Sequence, residues 1–147
     1  MTDVEVLQRF RMLMIEVEAI RKQVETVMMI GGPQGVRGQA MTGMPRGTND
    51  PVAASMQLYE GYAKRLEESA GKLEDLTGRF ERIIARIRDD RERVICRYYY
   101  GVGMTDAEIG DKISMEGSGV CKIRNEALRK IESFKRKHRN QDASVVG

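Results

Sequence analysis

Thr105-Asp106-Ala107-Glu108-Ile109-Gly110-Asp111-Lys112-Ile113-Ser114-Met115-Glu116-Gly117-Ser118-Gly119-Val120-Cys121-Lys122-Ile123-Arg124-Asn125-Glu126-Ala127-Leu128-Arg129-Lys130-Ile131 is the stretch on which the fold turns. Thr105 and Glu108 have the spacing of a capping box, in which the Thr hydroxyl accepts the Glu108 amide and the Glu108 carboxylate reaches back to the Thr105 amide. Met104 and Ile109 hold the staple positions on either side. A short helix ending near Ser114 follows. Ser114-Met115-Glu116-Gly117 reads as a turn. Beyond it, Val120, Ile123, Ala127, Leu128 and Ile131 fall on one face of a longer helix. The opposite face carries Ser118, Cys121, Lys122, Asn125 and Arg129, with Arg124 at its edge. A short helix, a tight turn and a helix with a polar, basic outer face form the pattern of a helix-turn-helix. Such a motif places the N-terminal part of its last helix in the major groove.

Upstream, Asp89-Asp90-Arg91-Glu92-Arg93 opens another short helix, with acidic residues at its positive end. Val94, Ile95, Tyr98 and Tyr99 form its apolar face, and Gly101-Val102-Gly103 stops it. Helical spacing spreads Tyr98, Tyr99 and Tyr100 around the axis, which puts at least one in the core and one in solvent. Packing accounts for them better than base stacking.

Two longer helices precede this segment. Val6, Phe10, Leu13, Val17, Ile20, Val24 and Val27 repeat in steps of four and three, a heptad seam. Met12, Met14, Met28 and Met29 read as gap-filling side chains beside it. Gly31-Gly32-Pro33 ends the helix. Residues 31–50 read as a linker containing Arg37, Arg46 and Met44-Pro45-Arg46-Gly47. Asn49 or Asp50 then caps a second helix with Pro51 near its first position. Its seam reads Val52, Met56, Tyr59, Ala63, Leu66, Ala70, Leu73, Leu76, Phe80, Ile83 and Ile87. The two consecutive three-residue steps around Leu73 are a stammer. Seams of this kind need a partner, either the other helix of the same chain or a second copy, and a homo-oligomer is expected. The expected fold is all-α: a long N-terminal helical hairpin or coiled coil (1–30 and 51–88), a helix-turn-helix domain (89–134) and a basic tail (135–147).

Charge is distributed unevenly. Between Ser118 and Arg139 lie eight Lys or Arg against two Glu, whereas the rest of the chain holds 17 basic and 20 acidic residues. A basic end on a near-neutral body suits phosphate binding. Arg124, Asn125, Arg129 and Lys130 are placed to serve phosphates and fix register. Ser118 and Lys122 are placed to reach base edges, with Cys121 beside them. Lys135, Arg136, Lys137 and Arg139 extend the basic surface as a tail that tracks the backbone.

Other classes of function fit poorly. The single histidine, His138, lacks Cys or carboxylate neighbours at ligand spacing, and Cys96 and Cys121 form no metal motif. No nucleophile–base pair or nucleotide loop is present, so neither an enzyme nor a cofactor is expected. The acidic start (Met1-Thr2-Asp3-Val4-Glu5) argues against a secretory leader, and no apolar run nears the roughly 20 residues that span a bilayer. A cytoplasmic protein with reduced thiols is expected.

The stretch from Glu92 through Ile113 and its continuation from Val120 through Ile131 resemble region four of sigma-70-type factors. The whole chain resembles small sigma-like regulators of phages and prophages of Gram-positive bacteria, the RinA and ArpU types of late-gene activator among them. Those proteins join an N-terminal coiled coil and a Met-Pro-Arg-Gly linker to this domain. The resemblance implies recognition of double-stranded promoter DNA and contact with host RNA polymerase. The chain departs from the family pattern where the recognition helix begins. Glu116 stands where Ser or Thr is usual, and Gly117 and Gly119 stand where large polar residues are usual. The alternative expectation is the small subunit of a phage DNA-packaging terminase, which also joins a helix-turn-helix to oligomerisation helices. That class usually carries its DNA domain at the N-terminus.

Overall fold

The structure, a computed structural model, describes residues 1–31 and 51–146, with 30–31 and 135–146 described as backbone alone. The linker from Gly32 to Asp50, with its basic residues and the expected caps Asn49 and Asp50, lies outside the described residues. So do the side chains of Lys135, Arg136, Lys137, His138 and Arg139.

The elements are α1 (Asp3–Gly31), α2 (Pro51–Ala85), α3 (Asp90–Cys96), a π-helical turn (Arg97–Val102), α4 (Asp106–Ile113) and α5 (Gly117–Val146). No strand occurs among the described residues, so the all-α expectation holds. Thr2 and Glu5 start α1 as a capping box: the Glu5 amide donates to Thr2 Oγ1 at 3.1 Å and the Thr2 amide to Glu5 Oε2 at 2.8 Å. Asp89 caps α3 by accepting the Glu92 amide at 2.9 Å.

The chain divides into two compact units. One joins Met1–Ile15 to the chain from Leu73 onward, and the other is Glu16–Lys72. The first is larger than the segment 89–134. Its core gathers Val6, Leu7 and Phe10 of α1, Phe80, Ile83, Ile84 and Ile87 at the end of α2, and Cys96, Tyr100, Ala127 and Ile131. Phe10 and Phe80 stack with ring centroids 4.1 Å apart. Gly101 permits this packing, because a Cβ there would lie 2.9 Å from the Phe80 ring. Arg86 pairs with Asp3 at 2.6 Å, and Arg79 donates to the Met1 carbonyl at 2.9 Å. A second cluster of Ile95, Ile109 and Val120, with Met104, Ile113, Met115 and Ile123 packed on it, gathers side chains of α3, α4 and α5.

In the second unit Ile20, Val27 and Ser69 are buried, and Val17, Val24, Tyr62 and Leu66 are half-buried. The α1 seam is therefore as the spacing predicts. The α2 seam is not. Ser69 is buried at 5%, while Ala70, Met56 and Tyr59 are exposed. Read through Tyr62, Leu66, Ser69, Leu73, Leu76, Phe80, Ile83 and Ile87, the steps alternate four and three without a break, so there is no stammer. A small hydroxyl fits a seam position that hydropathy alone assigns to its alanine neighbour. Met12, Met28 and Met29 are also exposed rather than gap-filling, at 62%, 58% and 78%.

Candidate nucleic-acid interface

The second capping box forms as the sequence predicts. The Glu108 amide donates to Thr105 Oγ1 at 3.2 Å, and the Thr105 amide to Glu108 Oε1 at 3.3 Å. Met104 and Ile109 meet in the same apolar cluster, completing the staple. At the other end of α4, Ser114 adopts a left-handed conformation with φ 58°. The chain then turns back, and the Met115 amide donates to the Gly110 carbonyl at 2.9 Å.

Gly110 lets α4 and the turn that follows it approach closely. A Cβ at Gly110 would stand 2.3 Å from the Met115 carbonyl oxygen. One at Gly117 would meet the Ala107 backbone at 3.4 Å, and one at Gly119 the Met115 side chain at 3.1 Å. Of the three, only Gly110 faces backbone too close for a Cβ.

Ser118, Lys122, Asn125 and Arg129 are exposed and share one face of α5, in steps of four, three and four. Lys122 has no hydrogen bond or ion pair among the described residues. Arg129 pairs with Glu126 at 2.7 Å, with the Arg side chain 73% exposed, a bond that water and salt weaken readily. Cys121 is half-buried, and its sulfur accepts from Asn125 Nδ2 and from an Arg124 terminal nitrogen, each at 3.6 Å.

Two of the expected contact residues are paired with other elements of the protein, Arg124 with its side chain mostly buried and Lys130 with its side chain exposed. The Arg124 side chain is only 12% exposed and meets Asp106 two-pronged, Nε to Oδ1 at 3.1 Å and a terminal nitrogen to Oδ2 at 2.9 Å. Burial works against its charge, but the hydrogen bonds to Asp106 and Tyr100 outweigh it and raise its pKa above the ordinary value. Lys130 bonds Glu92 Oε1 at 2.7 Å, tying α5 to α3 across a nearly buried carboxylate. That bond raises the Lys130 pKa.

The tyrosines also differ from a regular helical spread. Tyr100 is buried, Tyr98 and Tyr99 are half-buried, and none is exposed. The wide π turn is the cause, since it rotates consecutive side chains by less than an α-helix does. Burial pushes the Tyr100 phenol up, against the hydrogen bond to Arg124. Sequence reasoning missed Arg11 altogether. Its guanidinium donates to the carbonyls of Tyr99 at 2.6 Å and Met104 at 3.0 Å. Nothing in the local pattern of α1 signals a partner this distant in sequence.

α5 runs on to Val146, although a tail was expected from 135 onward. No Gly or Pro stands between Val120 and Val146 to stop it. Among the described residues no cluster of His, Cys, Asp or Glu suits a metal, and no helix is long and apolar enough to cross a membrane. Comparison with models of known protein families, with curated proteins and with solved structures finds no match for the chain.

Proposed function

We propose that the chain is a DNA-binding transcriptional regulator, of the phage or prophage kind its sequence resembles, and that α4, the turn and α5 act as a helix-turn-helix. The observation that carries this reading is the face of α5 made by Ser118, Lys122, Asn125 and Arg129. It is exposed, polar and basic, lies in the N-terminal half of the helix, and sits on a closely packed short helix. In this reading Lys122 meets guanine acceptors with Ser118 beside it, and Asn125 and Arg129 hold phosphates. Arg124 keeps the frame rigid instead, and Lys130, exposed beside Arg129, stays among the proposed phosphate contacts.

Self-association belongs to the same proposal. In the unit Glu16–Lys72, Met28, Met29, Met56, Leu58 and Tyr59 are all exposed, which favours a second copy as partner. RNA polymerase is a further proposed partner and rests on the resemblance alone.

Fluorescence anisotropy tests the reading. The wild type and the variants Lys122→Ala and Arg129→Ala are titrated with a duplex selected from a random pool and with a scrambled duplex, at several salt concentrations. Each substitution is expected to weaken binding and to lower the salt slope by about one where a phosphate contact is lost. No retention of any duplex at low salt would refute DNA binding. A light-scattering mass of a large ring, rather than a dimer, would favour DNA packaging over regulation.

A further inference from the structure

We infer that Arg11, on the first helix, is a positioning residue for the DNA-facing helix α5, acting through Tyr99 and Arg124. The inference rests on the DNA-binding reading above and adds a residue that lies far from the proposed contact face.

The Arg11 guanidinium carbon lies 3.8 Å from the centroid of the Tyr99 ring, and that of Arg124 lies 3.9 Å from the same centroid. Two planar cations at these distances collide if they share a face, so the ring lies between them. Each cation gains from the negative face of the ring. Their mutual repulsion is offset by Asp106 on the Arg124 side and by two carbonyls on the Arg11 side. Those carbonyls mark out the segment that matters. Tyr99 sits inside the π turn, where backbone bonding departs from the α pattern, and Met104 directly precedes the cap of α4. Arg11 therefore fixes both the π turn and the entry to α4. Through Tyr99 it also limits where Arg124 can sit, and Arg124 stands in α5 between Lys122 and Asn125.

Only a planar fork does both jobs. Lysine keeps the charge but cannot stack flat on a ring while donating to two carbonyls. Arg11 is not in the proposed contact face, so its loss removes no phosphate contact. What it loosens is register. Contacts to base edges need the helix held in place, whereas salt-driven contacts to phosphates tolerate a shifted helix.

The test compares Arg11→Lys and Arg11→Met with wild type on the selected and scrambled duplexes, across salt concentrations. The expected result is a loss of roughly tenfold on the selected duplex, the scale of one spoiled base contact. Affinity for the scrambled duplex and both salt slopes stay unchanged, and Lys fails to rescue. A partly unfolded variant would instead lose affinity for both duplexes by one common factor, and that outcome overturns positioning. So does unchanged affinity for the selected duplex. Hydrogen exchange on the free protein gives a readout that needs no DNA, with faster exchange expected at Lys122–Ala127 in both variants. If the wild type binds no duplex, the DNA reading fails, and unchanged exchange would then overturn the clamp as well.

Discussion

Replacing Gly110 with Ala reverses the usual sign of a helical Gly→Ala change. In a solvent-exposed helix interior that change stabilises by up to about 1 kcal/mol, because alanine costs less backbone entropy. Gly110 is buried near the end of α4, and a Cβ there would lie 2.3 Å from the Met115 carbonyl oxygen and 3.3 Å from its carbon. Both atoms are backbone, so no side chain can swing aside. Relief needs the turn Ser114–Glu116 to move by roughly 1 Å, against the Met115 amide bond to the Gly110 carbonyl and the packing of Gly117 on Ala107. Overpacking of this kind costs about 1–3 kcal/mol. A backbone clash at 2.3 Å belongs to the upper part of that range, about 2–3 kcal/mol, so after a propensity gain of up to about 1 kcal/mol a net loss of about 1–2 kcal/mol remains, a melting point lower by about 2–8 °C for a chain of this length. Gly71 is the internal control, since a Cβ there meets nothing within 4 Å. Gly71→Ala is expected to raise stability by about 0.5–1 kcal/mol. Thermal and urea unfolding followed by circular dichroism measures both. A Gly110→Ala protein as stable as wild type would refute the argument that α4 and the turn are in backbone contact.

Arg124→Lys keeps a cation but loses the two-pronged bond to Asp106 and the stack on Tyr99. It is expected to cost about 1–3 kcal/mol by urea unfolding while leaving the salt slope of DNA binding unchanged. Asp89 titrates with a definite sign. The bond from the Glu92 amide holds its carboxyl below 3.8, so the ionised cap is complete above that pH and is lost as pH falls through the folded value. Carboxyl chemical shifts during acid titration should report the lowered value, and an ordinary one would contradict the cap. Cys96 is fully buried, and burial pushes its thiol up to about 12. Iodoacetamide at pH 8 should modify Cys121 and spare Cys96 until the protein unfolds, since only thiolate reacts. Rapid labelling of Cys96 on the native chain, seen by peptide mass mapping, would contradict the core assignment.

Local patterns were legible in the sequence because their causes are local. The Thr105–Glu108 box, the stop at Gly103 and the buried face of α5 each depend on residues within a few positions, and the structure has all three. Long-range chemistry left less trace. Arg124 has the spacing of an edge residue on the polar face, and only the approach of Asp106 and Tyr99 turns it inward. The Ser69 seam position is hidden by a hydroxyl beside an alanine, and the π turn at Arg97–Val102 has no composition that distinguishes it from an α-helix. The basic run after Phe134 reads as a tail, yet helix propensity without a breaker is enough to carry α5 further.

The same contrast bears on where the folding unit ends. Residues 89–134 hold every element of the proposed DNA-reading motif, but a segment of that size buries too little surface to be firmly stable alone. Here Cys96, Tyr100, Ala127 and Ile131 are covered by Val6, Leu7, Phe10, Phe80, Ile83 and Ile84 from outside the segment. Arg11 adds bonds to Tyr99 and Met104 from the same side. Fully burying each large aliphatic or aromatic side chain is worth about 1.5–3 kcal/mol, so uncovering Tyr100 and Ile131 alone costs about 3–6 kcal/mol, as much as the lower part of a typical domain's stability of about 5–15 kcal/mol. A fragment beginning at Asp89 is therefore expected to lack a cooperative melt and to bind the selected duplex no better than the scrambled one. A fragment that melts like the intact chain would show that α1 and α2 merely adjoin the DNA-reading element. Loss of the melt in the fragment, with the intact chain still cooperative, would place the N-terminal helix inside that element's core, where the positioning role of Arg11 requires it.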